Sequence, residues 1–410
     1  MSEPSDYDVV IVGGGMAGLA LARALQDTPL RLALVEARPP EQQPARDGRR
    51  VSALTAGSVR IMANLGVWDD LLERGAQGIA GMRVWEDQRP GGIAFEAEEI
   101  GLSALGAVVP NGTVSQSLTA ALAGHPRLDW HCPATVAVVQ EGADSATVTV
   151  ESEGGTRQLS TRLVVAADGR DSPIRAGAGI DTVGWSYGQQ GLVAEIAPER
   201  PHRGRAYQRF LRGGPVALLP MANGHCSLVW SLPSARAEGL LDLDEAAFAR
   251  RLQRVVGPEL GALRVVGPRG GFPLRLQHAR TYHAGRRVLL GDAAHAVHPL
   301  AGLGFNLGLR DVARLAEVLG DAHASGEDLG SAAVLGRYAR WRGPDNLLTA
   351  AYTDGFHRLF ANDLPGLSAV RGWGLNLAHA GGPVKRLLMR QGMGLVGPQP
   401  RLGEGPDPVA

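Results

Sequence analysis

Tyr7–Val12 (YDVVIV) is an apolar, β-branched run that stops at Gly13-Gly14-Gly15-Met16-Ala17-Gly18 and resumes as LALARALQ. A strand, a glycine turn and a helix in immediate succession constrain the fold to an α/β unit with a parallel sheet. The spacing Gly13-x-Gly15-x-x-Gly18 adds chemistry. Gly13 permits the tight turn, Gly15 lets a pyrophosphate approach the backbone, and Gly18 lets the helix pack on the strand. Residues 31–36 (RLALVE) predict a second strand that ends in Glu36, an acid placed to accept from ribose hydroxyls. The helix N-terminus supplies free N–H groups and the positive end of its dipole to the phosphates.

Composition removes competing classes. The chain has 410 residues with 41 basic and 41 acidic side chains, so no net field draws it to a polyanion, and nucleic acid is not an expected partner. Apolar residues make up 44 % and charged residues 20 %, enough for a large core and too apolar for disorder. The sole lysine is Lys385, which leaves no P-loop or Schiff-base lysine in the body of the chain. Cys132 and Cys226 are too far apart in sequence for a CxxC redox pair, and two cysteines make neither a disulfide framework nor a cysteine zinc site. A reducing cytosol is the expected compartment. The MSEPSDYD start is acidic and polar, which predicts no secretory signal. The long apolar stretch at 288–309 contains Asp292, His295, His298 and Pro299, so no transmembrane helix is expected there. His295 and His298 lie three apart without carboxylate or cysteine partners at ligand spacing, and no metal is expected.

Two further apolar strands precede small acidic turns: residues 162–167 (RLVVAA) before Asp168-Gly169, and 287–290 (RVLL) before Gly291-Asp292. Asp168 and Asp171 read as a solvated turn after a strand. Residues 53–68 carry apolar residues at helical spacing, and the glycine-rich loop 299–308 leads into a helix to about Leu319. Alternation at 147–151 and 226–231 predicts antiparallel strands, with Trp230 a packing residue. The fold class that follows is α/β: a Rossmann-like dinucleotide-binding domain, for which the fingerprint alone leaves FAD and NAD both open and which the resemblance given below makes an FAD-binding domain, an inserted β-sheet substrate domain, and a helical C-terminal region. Its expected parts are 1–75, 100–183 and 280–337 for the nucleotide domain, 76–99 and 184–279 for the substrate domain, and 338–410 for the C-terminal helices.

The glycine turn, the Ala167-Asp168-Gly169-Arg170-Asp171-Ser172-Pro173-Ile174-Arg175 segment and the Gly291-Asp292-Ala293-Ala294-His295 segment, in this order, resemble the three motifs of the single-component aromatic-ring flavoprotein monooxygenases, the p-hydroxybenzoate hydroxylase class. Gly48 to Leu54, Val109 to Gln116, the loop HPLAGLGFNLGLRD, Tyr352 to Gly355 and the tail Lys385 to Gly394 resemble, within that class, the ubiquinone-biosynthesis hydroxylases of the UbiH/UbiF/VisC type. The resemblance spans nearly the whole chain. It implies FAD as cofactor, with Gly13, Gly15, Gly18, Glu36, Arg49 or Arg50, Gln116, Asp168, Gly291 and Asp292 around it. Asp292 takes the ribityl chain, and the backbone of Leu303, Gly304, Phe305 and Asn306, opening a helix, faces the flavin pyrimidine edge. Pro299, Gly302 and Gly304 of that loop are the catalytic candidates. The family loop usually carries glutamine where this chain has Leu303; a backbone contact survives that change and a side-chain hydrogen bond does not.

The implied reaction uses NAD(P)H as a transient reductant and O2, through a C4a-hydroperoxyflavin, to hydroxylate a polyprenylated phenol or benzoquinol in ubiquinone biosynthesis. The alternatives are another small aromatic substrate or a prenyl-lipid reductase of related fold. Residues 364–394 mix apolar residues with Arg371, Lys385, Arg386 and Arg390 and contain no acid. This composition suits weak docking on the cytoplasmic leaflet of the inner membrane or on a ubiquinone-biosynthesis complex, and equally a helix packed on the flavin domain.

Overall fold

The computed structural model describes residues 5–39, 50–86, 92–297, 302–361 and 382–408. The chain begins β1 (Tyr7–Val12), α1 (Met16–Ala24), β2 (Leu32–Val35), β3 (Val51–Thr55), α2 (Ala56–Asn64), α3 (Trp68–Glu73), β4 (Gln77–Gly78), β5 (Gly81–Glu86) and β6 (Gly92–Glu96). It continues through β7 (Gly106–Pro110), α4 (Asn111–Ala121), β8 (Leu128–His131), β9 (Ala134–Glu141), β10 (Ala146–Ser152), β11 (Gly155–Ala166), α5 (Pro173–Gly177) and β12 (Thr182–Pro198). Then come β13 (Arg205–Leu211), β14 (Gly214–Pro220), β15 (Cys226–Pro233), α6 (Ser234–Leu241), α7 (Glu245–Val256), β16 (Leu263–Ala279), β17 (His283–Ala284) and β18 (Arg287–Leu289). The last elements are β19 (His295–Ala296), α8 (Leu303–Ala324), α9 (Ala332–Ala361) and α10 (Pro383–Gly392).

The first sheet runs β17-β18-β11-β1-β2-β8, with β9 and β10 on an arm of the long β11. β1 lies between β2 and β11 and is parallel to both, and β18 is parallel to β11. A central parallel strand is covered on both faces, which is why Val9-Val10-Ile11-Val12 is continuously apolar instead of alternating. The small residues of α1 (Gly18, Ala20, Ala22) are buried and let it pack closely against α4 and α8.

The second sheet runs β19-β16-β12-β15-β14-β13-β5-β6. Its pairings are antiparallel except β13 with β5. α6 and α7 cover one face, where Leu192, Val216, Leu228 and Trp230 meet Phe248 and Leu252. Helix α7 starts where the Asp244 carboxylate accepts the Ala247 N–H at 2.7 Å, and it presents Phe248, Leu252 and Val256 on one stripe. Full burial of each of these side chains contributes about 1.5–3 kcal/mol. Trp230 packs in this core, as its place in an alternating strand suggested.

A third sheet, β3-β7-β4, sits between the other two, and its Val51, Ala53 and Val108 pack with Ala206, Leu219 and Val229 of the second sheet. Residues 53–68 are therefore not one helix. Ala53 and Leu54 pair with β7, and Thr55 ends the strand and caps α2 by accepting the Ser58 N–H. Apolar spacing alone could not locate that switch, because buried strand residues and a buried helical stripe look alike over so short a run.

Candidate functional site

The parallel strands of the first sheet end level with one another. Val12 is the register partner of Val35 and of Ala166, and Ala166 is the partner of Leu289. The segments that leave these residues emerge side by side: the glycine turn after β1, Glu36 after β2, Asp168 after β11, and Gly291-Asp292 beyond β18. The carboxyl edge of an open parallel sheet is where α/β folds receive ligands.

The glycines differ in what they permit. Gly13 has φ +109°, and a Cβ there would lie 2.3 Å from the Ala167 carbonyl oxygen. A Cβ on Gly18 would lie 1.9 Å from the Gly13 oxygen. Both are needed for the turn itself. A Cβ on Gly15 would meet nothing within 4 Å, and α1 begins there without a side-chain cap, so its first N–H groups face open space. The Glu36 carboxylate accepts the Gly14 N–H at 2.6 Å and the Arg38 N–H at 2.8 Å, which fixes it beside the turn.

Asp168 departs from the reading of a solvated turn. It is half-buried, its Oδ2 accepts the Ile174 N–H at 3.2 Å, and its Oδ1 is buried without a hydrogen bond among the described residues. Burial raises its pKa, and bonds from Ser172 and the backbone offset part of that rise. Arg175 joins this segment to the next, donating to the Arg170 oxygen at 2.9 Å and the Ala293 oxygen at 2.8 Å.

Gly291 has φ +58°, and its missing Cβ would sit 3.3 Å from the Ala17 Cβ, so the turn lies against α1. Asp292 is exposed. Helix α8 starts after Gly302, which adopts the left-handed conformation at φ +66° with no side-chain cap. Its missing Cβ would lie 3.2 Å from the Ala53 N. The buried Asn306 side chain accepts the Thr55 N–H at 2.8 Å and donates to Ala53 O at 2.8 Å and Gly302 O at 3.0 Å. That amide is fully engaged in locking the loop to β3, and Gly304 again faces open space. Arg50 is exposed, with its guanidinium over the Phe272 ring at 5.2 Å from the centroid. Gln116 is half-buried on α4. Arg49 and Pro299 lie outside the described residues, as does the side chain of Leu303.

Behind the Gly291 turn is a buried polar cluster that joins the last residues of two motifs, His295 and Asp311, in a pairing the motifs did not show. Asp311 of α8 is fully buried, and its Oδ2 accepts from Gly291 N at 3.2 Å and from His295 Nε2 at 2.5 Å. Its Oδ1 accepts from Arg342 Nε at 2.6 Å and Asn346 Nδ2 at 3.0 Å. Arg342 also bonds Asp345 and the Asn346 side-chain oxygen, and Tyr338 donates to the Leu289 oxygen at 3.0 Å. Burial opposes charge on both ions. The neighbouring His295 and Arg342 prevail at Asp311 and hold its carboxyl below the usual carboxylate range, while Asp311 and Asp345 hold the Arg342 guanidinium above its usual value. The signal available in sequence was a lone acid on the apolar stripe Leu307-Val312-Leu315 of α8, which needs a buried cation. Cys226 is chemically quiet, because burial pushes its thiol up to about 12.

Residues 6–344 match the family described as FAD binding domain. The chain belongs to that family. As a family member it is 40 % identical over 398 residues to the ubiquinone hydroxylase UbiL of Rhodospirillum rubrum, covering 96 % of this chain and 91 % of that protein. It is 34 % identical over 390 residues to the 3-demethoxyubiquinol 3-hydroxylase of Escherichia coli, covering 95 % and 98 %. The p-nitrophenol 4-monooxygenase PnpA of Pseudomonas putida has the same fold, with a TM-score of 0.76 at 20 % identity over 94 % of this chain and 96 % of that one. The site suits the family's cofactor: open space at Gly15 beside uncapped N–H groups fits a pyrophosphate, and an exposed acid at 292 fits a polyol. The protein is an FAD-dependent monooxygenase by family.

Proposed function

We propose that the protein hydroxylates the ring of a polyprenylated phenol or quinol in ubiquinone biosynthesis, using FAD, O2 and NAD(P)H. The observation that carries this reading is kinship with two ubiquinone-pathway hydroxylases over 95 % or more of the chain. Bound at the strand ends, FAD supplies oxidation of a nicotinamide and activation of O2 for transfer of one oxygen atom to an electron-rich ring. The chain's own residues bind and orient. The Gly15 turn and the first N–H groups of α1 receive the pyrophosphate, and Glu36 accepts from the adenosine ribose. Asp292 accepts from a ribityl hydroxyl. Arg50, Asp168 and Gln116 border the cofactor. The N–H groups of Leu303, Gly304 and Phe305 at the start of α8 favour negative charge at the pyrimidine edge. Gly302 and Gly304, which open α8, would leave room for the flavin there, and the second sheet would help to exclude water.

Asp292→Ala tests the site. Loss of a charge-assisted hydrogen bond of about 1.5–3 kcal/mol weakens FAD binding roughly tenfold to a hundredfold, whereas Cys226→Ala leaves it unchanged. Equilibrium titration of apoprotein with FAD reads both, and equal affinities would remove Asp292 from the site. Turnover tests the reaction: prenylphenols are consumed with NAD(P)H under air and not under nitrogen. Anaerobic saturation of a prenyl double bond would replace the hydroxylase reading with a reductase.

Helix α10 gives this enzyme a way to meet a substrate that lives in a bilayer. Among the described residues no helix is long and apolar enough to cross a membrane. Lys385 turns inward, with Nζ 2.6 Å from a Glu99 oxygen, and Met389 is buried on the same side. It is therefore not one of the free cations expected from composition. Val384, Leu387 and Leu388 are exposed instead, beside exposed Arg386 and Arg390. An outward apolar stripe flanked by cations suits an anionic lipid surface, at about 1 kcal/mol per cation. Replacing Arg386 and Arg390 by Gln lowers co-sedimentation with vesicles of anionic lipid about tenfold or more, and salt does the same. Binding indifferent to both would end the docking idea and leave the flavin site untouched.

A further inference from the structure

Helix α10 is held against the short helical turn Ala97–Ile100 by the ion pair of Lys385 with Glu99 and by Met389, which shares an apolar cluster with Ile100. Between the two elements lies a cavity of about 510 Å³, large enough for a small ligand, whose lining includes Glu99, Ile100, Pro383, Arg386, Leu387 and Arg390. Arg386 and Arg390 stand on successive turns of one helix face, and both border the cavity. Arg390 Nη2 donates to the Ile100 oxygen at 3.2 Å, which holds that guanidinium at the wall. Neither arginine has a carboxylate partner among the described residues, so most of their N–H donors are free. Like charges four residues apart on a helix repel, and an anion between them relieves that repulsion. Glu99 does not supply it, because its carboxylate already accepts from Lys385 Nζ at 2.6 Å and from the Glu96 N–H at 3.0 Å.

The rest of the lining decides the kind of anion. Ile100 is buried, whereas Leu387 borders the cavity and is 58 % exposed, so apolar surface runs from the cavity wall out to the exposed Val384 and Leu388. A free phosphate gains nothing from that surface, while the glycerol and acyl chains of a phospholipid do. Guanidiniums match phosphate oxygens in geometry as well as in charge. A zwitterionic headgroup would bring its ammonium beside two guanidiniums, and the carboxylate that could receive it is engaged by Lys385.

We propose that the cavity between α10 and the turn Ala97–Ile100 binds the phosphate of one anionic glycerophospholipid between Arg386 and Arg390. This rests on the reading of α10 as a docking helix and adds a site of fixed stoichiometry to it. The enzyme then recognises a single lipid molecule in addition to a charged surface.

The test uses the FAD-loaded full chain and dihexanoylphosphatidylglycerol below its micelle concentration, where no charged surface exists, with binding read by calorimetric titration. One equivalent binds saturably, at least tenfold more tightly than dihexanoylphosphatidylcholine or inorganic phosphate at the same ionic strength. Arg386→Gln and Arg390→Gln each weaken it about tenfold or more with the thermal midpoint unchanged. Replacing both arginines by Lys keeps the charge and removes the planar fork. In that variant co-sedimentation with anionic vesicles stays within about twofold of wild type, while affinity for the monomeric lipid falls several-fold. Equally tight binding of inorganic phosphate would overturn the lipid assignment in favour of a free anion, and equally tight binding of the phosphatidylcholine would overturn recognition of an anionic headgroup. No binding of the monomeric lipid, beside vesicle binding that still depends on salt and on both arginines, would overturn the site and leave the docking of α10 standing. Vesicle binding indifferent to salt and to both arginines would end the docking reading, and the site with it.

Discussion

Gly15→Val gives a folded protein that has lost FAD, with affinity lowered by at least about a hundredfold, or ~3 kcal/mol. The two halves of this expectation have separate causes. Gly15 has ordinary extended dihedrals, φ −71° and ψ 176°, and a Cβ there meets nothing within 4 Å, so the chain itself accepts a larger residue. The space that valine would fill is the space through which a pyrophosphate reaches the first N–H groups of α1. Gly18→Ala behaves in the opposite way. Its Cβ would lie 1.9 Å from a backbone oxygen, so the strand–helix contact must open and the apoprotein itself is destabilised, by about 1–3 kcal/mol or more. Thermal unfolding of the apoproteins beside FAD titration separates the two glycines. Retention of FAD by a folded Gly15→Val protein would contradict the placement of the phosphates.

Arg342→Met lowers the unfolding free energy by about 3–5 kcal/mol, because it leaves the fully buried Asp311 carboxylate without its cation. The effect is larger than for surface pairs such as Arg74 with Asp70, which contribute about 0–1 kcal/mol. It also carries a pH signature. Asp311 has a depressed pKa in the folded state, held there against burial by His295 and Arg342. Its contribution is complete above the ordinary carboxylate pKa of about 3.9 and is lost as pH falls below that value towards the folded pKa. Removing Arg342 raises the folded pKa, so the loss of stability between about pH 4 and pH 3 flattens. Urea unfolding of both proteins at several pH values checks this; parallel pH dependences would mean that Arg342 does not hold the carboxylate ionised.

The two expectations bear on what could be read before the fold was known. The glycine turn was legible in full, because each glycine answers to a local demand: φ at Gly13, contact at Gly18, access at Gly15. The positions of Glu36 and Asp292 after their strands were legible for the same reason. What was hidden depends on pairing distant in sequence. Asp311 and Arg342 meet across two helices, and although Asp311 ends the motif HPLAGLGFNLGLRD, nothing in that motif points to Arg342 as its partner. Lys385 read as a free cation because composition records charge and not direction, and only contact with Glu99 shows it turned inward. Asn306 was legible as part of the loop that opens α8, but that its side chain bonds β3 was not.

The central claim is that this chain places one atom of O2 on the ring of a prenylated phenol. The most direct measurement supplies the FAD-loaded enzyme with NAD(P)H, a prenylphenol and 18O2 in ordinary water, and reads the product by mass spectrometry. One 18O atom on a ring carbon of the product, with none when the label is in the water, is the predicted result. A product that gains no oxygen, or gains it from water, would contradict the account.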